Sequence, residues 1–253
     1  EQQSWQQSPQ LALNLPAVNR MLPENFALKA PQAQAKPELV IQQDGISAWL
    51  YPSQEFASQP RGVLEIFINS AAPQQQVKAK VALALWRDLY NLQQSALATE
   101  ADIAGMQLRL SDGNGLALSV AGFTDKQPQL LEQALAGLRI NTDQQGFAQA
   151  KDRFIRGVQN QSKQFPFQQA FLAYNSLVRS GNYEADAMVN AAQALTLADL
   201  QDTMTQVLAN NQLRIFAFGN YDTAAVKQVA ATVKQALPAT HSEQPYSRTA
   251  FWL

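Results

Sequence analysis

Residues 106–120 read MQLRLSDGNGLALSV, and this stretch decides the class of the fold. Apolar residues alternate with polar ones from Met106 to Ser111, and the alternation resumes at Leu116. Residues 112–115 read DGNG, and these residue types tolerate the positive φ angles of tight turns. The stretch therefore predicts an antiparallel β-hairpin.

Upstream of the hairpin, the sequence predicts two strands and a helix. Residues 46–51 alternate with a period of two, as a half-buried strand does. Residues 63–68 form a second strand that is apolar on both faces, which predicts a sheet covered on both sides. The period then lengthens to that of a helix, and one helical face carries a series of apolar residues. They are Val77, Val81, Leu85, Leu89 and Leu92.

Downstream of the hairpin, four helices, a strand and a further helix are predicted. Apolar stripes at helical spacing occupy residues 131–138, 147–158 and 167–178. Thr196 is a candidate N-cap of the fourth helix, with Asp199 three residues later. The strand covers residues 213–218, and Asp222 then caps the final helix.

The predicted order of elements is β-β-α-β-β-α-α-α-α-β-α. Hairpins followed by a run of helices indicate an α+β fold, with an antiparallel sheet and helices packed on one face. Residues 37–237 contain no flexible linker and are interpreted as a single module. Recurring prolines make residues 1–36 an extended arm or linker, and residues 238–253 are expected to connect to a following module.

Composition excludes several classes of function. The 253 residues carry 19 Lys+Arg and 20 Asp+Glu, so the net charge of -1 offers no basic surface for nucleic acid. No apolar run is long enough for a transmembrane helix, so no membrane partner is expected. The absence of cysteine excludes thiol chemistry. His241 is the single histidine, which is too few for a catalytic zinc site.

The remaining candidate sites are better explained by structural roles or chance than by catalysis or ligand binding. The acidic residues at 100 and 102, and those at 184 and 186, are helix-end or loop charges rather than metal ligands, because residues two apart do not share a helix face. The DGNG stretch is followed by a strand, whereas a phosphate-binding loop leads into a helix. The sequon at residues 160–162 is of a kind common by chance. We therefore predict no catalytic, cofactor-binding or metal-binding residue in this chain.

An aromatic stripe runs along the third predicted helix of the run. Phe165, Phe167, Phe171 and Tyr174 recur at roughly helical spacing. Such stripes are usually core, so we expect burial; the alternative is that they line a hydrophobic groove.

Several strings resemble the third module of the pitrilysin and insulin-degrading enzyme family. Residues 15–26, LPAVNRMLPENF, are similar to that module's LPxxNxFIPxxF pattern, and residues 122–128, GFTDKQP, are similar to its GYNDKQP. The resemblance extends over about residues 11–237, in matching order and spacing. Shorter matches are at residues 49–51, 56, 60–61, 104–105, 147, 151, 160, 166, 169 and 219–220.

This resemblance implies that the chain has the fold of the family's modules but not the residues of the zinc site. The family's catalytic module carries H-x-x-E-H on the helix after the second strand. Here the corresponding residues 81–90 read VALALWRDLY, with neither histidine nor glutamate. No zinc ligand or catalytic base can be transferred to this chain, so no cofactor is expected in it; zinc is expected in the catalytic module of the parent protein.

The resemblance also implies a role. We expect an inactive structural module of a zinc endopeptidase that forms part of the wall of a substrate-enclosing chamber for peptides. Its partners would be other modules of the same polypeptide and, weakly, the peptide substrate. The alternative is a free-standing scaffold or regulatory subunit that pairs with a separate catalytic metallopeptidase chain. Low charge, no cysteine and the resemblance to pitrilysin suggest the bacterial periplasm.

Overall fold

A computed structural model describes residues 18–29, 35–43, 45–52 and 58–237. Four features of the sequence interpretation lie outside these ranges: His241, the connection at residues 238–253, residues 1–17 and 30–34 of the arm, and the match to the family at residue 56. The described residues form six strands, β1 to β6, and nine α-helices, α1 to α9.

The strands are β1 (Glu38–Gln43), β2 (Ile46–Tyr51), β3 (Arg61–Asn69), β4 (Gln107–Gly113), β5 (Gly115–Phe123) and β6 (Gln212–Gly219). The helices are α1 (Ala72–Gln75), α2 (Val77–Gln93), α3 (Ser95–Ile103), α4 (Gln127–Ala136), α5 (Gln144–Asn160), α6 (Pro166–Val178), α7 (Ala185–Ala194), α8 (Leu197–Ala209) and α9 (Thr223–Ala236). A short 3₁₀ turn, Gln161–Lys163, follows α5.

The strands form one sheet in the order β1-β2-β6-β3-β5-β4. The predicted hairpin is confirmed, because β4 pairs antiparallel with β5 from Gln107↔Ala121 to Gly113↔Gly115. Strand β6 arrives last and inserts between β2 and β3. It runs antiparallel to β3 but parallel to β2, so the sheet has one parallel pair. The long helical segment before β6 permits this direction, since parallel neighbours need a crossover connection.

The sheet buries one face beneath the helices. Inward residues of its central strands are fully or almost fully buried, among them Leu64, Ile66, Leu118 and Ile215. Helix α2 lies in the middle of the helical layer and contacts α5, α7, α8 and β4, while α4 and α9 cover the β5 and β2 parts of the sheet. The α+β class with helices on one face is therefore confirmed.

The other face of the sheet is open within the described residues, so the prediction of a sheet covered on both sides is wrong for this part of the chain. On β3, Val63 and Glu65 are half-buried, whereas Phe67 is 37% exposed. The periodicity of β3 shows apolar residues on both faces, but it cannot show what covers each face.

Four elements were not predicted: β1, α3, α7 and α1, which is only four residues long. Strand β1 has little alternation in burial, and α3 and α7 are rich in alanine, so large apolar residues at helical spacing are scarce. The apolar face of α2 is also shorter than predicted. Val81, Leu85 and Leu89 are buried, but Leu92 is 61% exposed because it lies in the last turn of the helix.

Both predicted helix caps are confirmed. The Thr196 hydroxyl accepts a hydrogen bond from the amide of Asp199, while the Asp199 carboxylate accepts one from the amide of Thr196. This reciprocal capping box starts α8. The Asp222 carboxylate accepts from the amide of Ala225 at 2.7 Å and starts α9.

Candidate functional site

The helix that corresponds to the family's zinc motif is α2. Val81, Ala82 and Leu85 are completely buried in the core. A zinc ion requires nitrogen, oxygen or thiolate ligands, and these side chains supply only aliphatic groups. The residues at this part of α2 therefore do not fit a zinc ion.

The charged residues of α2 have structural partners. Arg87 forms ion pairs with Asp112 and with Asp88, and Lys80 lies 3.4 Å from Asp112. Burial alone would lower the pKa of Arg87, but attraction to Asp112 and Asp88 outweighs this effect and raises the pKa. This network attaches the β4–β5 turn to α2, and the raised pKa keeps Arg87 charged at neutral pH.

The acidic residues weighed in the sequence are far from forming a metal site. The Glu100 carboxylate accepts a hydrogen bond from the amide of Arg20, and Asp186 lies in the first turn of α7. Across residues 18–29, 35–43, 45–52 and 58–237, no three histidine or acidic side chains come close enough to hold a metal ion. Asn160, of the sequon, ends α5 and accepts a hydrogen bond from Lys163.

A cavity of about 560 Å³ lies between α2, α5, α6 and α7. Its charged lining residues are Lys80, Arg179 and Glu184, and amide and apolar side chains complete the lining. The hydroxyl of Ser176 donates to the carbonyl oxygen of Ala173 at 2.7 Å, so this serine is not paired with a base. The lining holds no nucleophile with a neighbouring general base.

Helix α6 contradicts the prediction that its aromatic stripe is core. None of its residues is buried. Phe167 is 70% exposed, Phe171 63% and Tyr174 57%, and Phe165 just before the helix is 72% exposed. With Leu177, 66% exposed, these side chains form one surface, the aromatic face of α6. A stripe of residues shows that a helix has an apolar face. It does not show which other part of the protein, if any, packs against that face.

A second apolar surface is the open face of the sheet, which sequence reasoning missed. Its centre is an aromatic cluster from β2, β3 and β6: Trp49, Tyr51, Phe67, Phe216 and Phe218. The Tyr51 and Phe218 rings are 5.5 Å apart, and those of Phe216 and Phe218 stack at 6.4 Å. The apolar residues on both faces of β3 were the signal for this surface. They show that the outer face of the sheet carries apolar side chains against which another element could pack.

Comparison with known proteins places these features in a family. The family model described as "Middle or third domain of peptidase_M16" matches residues 1–191. The chain belongs to the M16 peptidase family. The M16 module is 24% identical over 242 residues to Protease 3 of Escherichia coli K12, and 24% identical over 238 residues to human insulin-degrading enzyme. These alignments cover 94% and 92% of the module but only 25% and 23% of the relatives.

Solved structures agree on the fold. The crystal structure of pitrilysin superposes with a TM-score of 0.85 at 24% identity, covering 91% of the M16 module and 25% of that chain. A structure described as a peptidase M16 inactive domain from Pseudomonas fluorescens gives a TM-score of 0.64 at 18% identity, covering 85% of the module and 54% of that chain. The module thus spans about a quarter of the length of the curated relatives it matches. Among the residues that the structure describes, none of the helices combines the length and apolar character needed to cross a membrane.

Proposed function

We propose that this M16 module is a non-catalytic part of a zinc endopeptidase and forms part of the wall of a chamber that encloses peptide substrates. The observation that carries the proposal is the core position of Val81, Ala82 and Leu85, at the helix where a catalytic module would carry its motif. A helix with aliphatic core residues at these positions can support the fold, but these residues cannot bind zinc. The metal and the general base would belong to another module of the parent protein.

The two apolar surfaces support docking between modules. Monomeric proteins rarely expose contiguous apolar patches of this kind, and large ones mark interaction sites. Trp49 and Phe67, each 37% exposed, lie in the middle of the open sheet face, and the aromatic face of α6 is more exposed still. Since the curated relatives are about four times as long as the matched segment, other modules of the same polypeptide are the proposed partners.

Enclosure, rather than chemistry, would be the contribution of this module to catalysis. A wall that restricts a bound peptide to reactive geometries raises the rate by lowering the entropy lost at the reacting centre. It needs only weak contacts with the peptide, because strong binding of the ground state would not accelerate the reaction. The isolated module is therefore expected to bind peptides weakly or undetectably.

The test is reconstitution. The catalytic half of the parent protein is assayed on a quenched peptide alone, and then with the complete inactive half, which contains this module, added in trans. We expect the addition to raise the rate. A catalytic half that already shows the full rate alone would contradict the chamber-wall proposal.

A matched pair of variants tests the docking surface in the same assay. Phe167→Ser with Phe171→Ser should weaken the rate increase, since both side chains lie on the aromatic face of α6. Leu92→Ser is the control, because Leu92 is an exposed apolar residue outside that face. Equal rate increases with all three proteins would show that the aromatic face is not a docking surface.

The alternative is a free-standing scaffold or regulatory subunit that pairs with a separate catalytic chain. Both candidate functions use the same exposed surfaces, so variants of those surfaces cannot distinguish them. The open reading frame that encodes the module can. An H-x-x-E-H motif upstream in the same frame supports the first, and its absence the second. For the location we propose the periplasm, which fractionation of the source cells would test.

A further inference from the structure

Residues 18–29 cross the surface of the M16 module in a largely irregular, extended conformation. They include part of the string that resembles the family pattern, and they contact three separate parts of the fold. These parts are the end of α3, the loop between β5 and α4, and the turn between β6 and α9. At each part, at least one hydrogen bond is made to the backbone of the crossing segment.

The first contact is at α3. The Asn19 side chain donates to the carbonyl oxygen of Glu100 at 2.8 Å, and the amide of Arg20 donates to the Glu100 carboxylate at 2.9 Å. Met21 follows and is only 1% exposed, within the main hydrophobic core. One residue of the segment is therefore a core residue of the module.

The second contact is at the loop between β5 and α4. The Asp125 carboxylate accepts hydrogen bonds from two successive amides, those of Glu24 at 3.0 Å and Asn25 at 3.2 Å. Lys126 forms an ion pair of 2.6 Å with Glu24. A carboxylate that accepts two backbone hydrogen bonds holds the backbone itself, whatever the side chains of the segment.

The end of β5, just before this loop, supplies an aromatic contact. The ring of Phe26 meets that of Phe123 edge-on, with centroids 5.5 Å apart. The Arg61 guanidinium lies over the Phe123 ring at 4.5 Å from its centroid. Phe123 is thus held between a cation and the crossing segment.

The third contact is at Asn220, which is 1% exposed. Its side-chain oxygen accepts from the amide of Lys29 at 2.5 Å, and its side-chain nitrogen donates to the carbonyl oxygen of Ala27 at 3.0 Å. The same nitrogen donates to the Thr124 hydroxyl at 3.0 Å. Asn220 therefore satisfies a donor and an acceptor of the segment, as a neighbouring strand would.

We propose that these contacts form a docking groove for residues 18–29, which act as a strap that fixes the path by which the preceding chain reaches the module. Asp125 and Asn220 are its principal positioning residues, because each binds two backbone groups of the strap. This proposal explains the presence of the motif at residues 122–128 and of Asn220: both bind the strap. Residues 18–29 therefore move as one body with the rest of the described module. This holds whether or not the parent protein encloses peptides.

The test uses the absence of cysteine from the chain. Leu28→Cys, at a position 54% exposed between the two residues that Asn220 binds, and Glu132→Cys, exposed on α4, carry spin labels on the complete chain. Double electron–electron resonance should give one narrow distance distribution. Adding Asp125→Ala and Asn220→Ala should broaden it. A broad distribution before those changes, or an unchanged narrow one after them, would overturn the proposal.

A control and a second measurement separate strap release from general unfolding. Asp202→Ala with Asn190→Ala removes the same two side-chain types at exposed positions and should leave the distribution narrow. In the unmodified chain, the amides of Glu24, Asn25 and Lys29 should exchange hydrogen at least about tenfold more slowly than in an unstructured peptide. Exchange at the unstructured rate would overturn the strap independently of any variant.

Discussion

Trp86 donates its indole hydrogen to the carbonyl oxygen of Leu138 at 2.8 Å, and neither residue is more than 1% exposed. This hydrogen bond joins the middle of α2 to the segment that follows α4. The carbonyl oxygen of Leu138 thus accepts from the side chain of a distant element as well as from the amide of Ile140, inside the hydrophobic core.

Trp86→Phe should destabilise the module by about 0.5–1.5 kcal/mol, because it removes one buried hydrogen bond while the Leu138 carbonyl oxygen keeps the one from the amide of Ile140. Chemical denaturation measures the change. Trp49→Phe is the matched control, since Trp49 is 37% exposed on the open sheet face and should change stability little in the isolated module. Equal effects of the two substitutions would show that the hydrogen bond is not the cause.

Leu85→Ala should cost about 2–5 kcal/mol of unfolding free energy through lost burial and the cavity left behind. Leu85 is completely buried, whereas Leu92, on the same helix, is 61% exposed. Leu92→Ala should therefore be almost neutral. A denaturation midpoint that Leu85→Ala leaves unchanged would mean that this face of α2 does not lie in the core.

Gly115→Ala should destabilise the hairpin, whereas Gly113→Ala should be tolerated. Gly115 has a φ of +123°, and a Cβ atom there would collide with the carbonyl oxygen of Ile68. Such a backbone conformation costs a non-glycine residue about 1–3 kcal/mol before the collision is counted. A Cβ atom on Gly113 would meet open space. Thermal melting of both variants compares them, and similar midpoints would contradict this account of the turn.

The capping box of α8 should make stability depend on pH in acid. The Lys78 ammonium, 2.7 Å away, and the Thr196 hydroxyl and amide lower the pKa of Asp199 to about 2. Because the pKa is lower in the folded chain, the stabilisation is complete above the usual carboxyl value of 3.8 and is lost as the pH falls through about 2.

Asp199→Asn should therefore lower stability by about 0.5–1 kcal/mol at neutral pH, a partly exposed capping contribution, and by less as the pH approaches 2. Urea denaturation across this pH range measures the difference. Asp202→Asn, exposed on the same helix, is the control. A difference between wild type and Asp199→Asn that is constant with pH would contradict the role of the carboxylate.

The isolated chain should neither retain zinc nor cleave peptides. Val81, Ala82 and Leu85 of α2 are aliphatic and buried, and a single histidine cannot supply the ligands that a zinc enzyme uses. Elemental analysis after dialysis and a quenched-peptide assay, with and without chelator, measure both properties. Stoichiometric zinc together with chelator-sensitive cleavage would disprove the prediction.

Local features were predictable because they depend on neighbours along the chain. The hairpin follows from alternation on either side of DGNG, and the caps follow from Thr196 and Asp222 at helix starts. The resemblance through residues 15–26 and 122–128 indicated the family, and the loss of zinc ligands was visible in residues 81–90. Helices α3 and α7 escaped prediction because alanine-rich stretches give little apolar periodicity.

The sequence by itself determined which residues share a face, where the turns and caps lie, and that residues 81–90 lack the H-x-x-E-H pattern. Only the tertiary structure decided that β6 runs parallel to β2, that Phe167 and Phe171 are exposed, and that Asn220 binds the backbone at residues 27 and 29. The physical reason is the distance along the chain between the interacting residues. Periodicity and capping depend only on residues that are close together in the sequence. Strand neighbours, the covering of an apolar face and the docking of a strap depend on contacts between residues far apart in the chain, which no local pattern records.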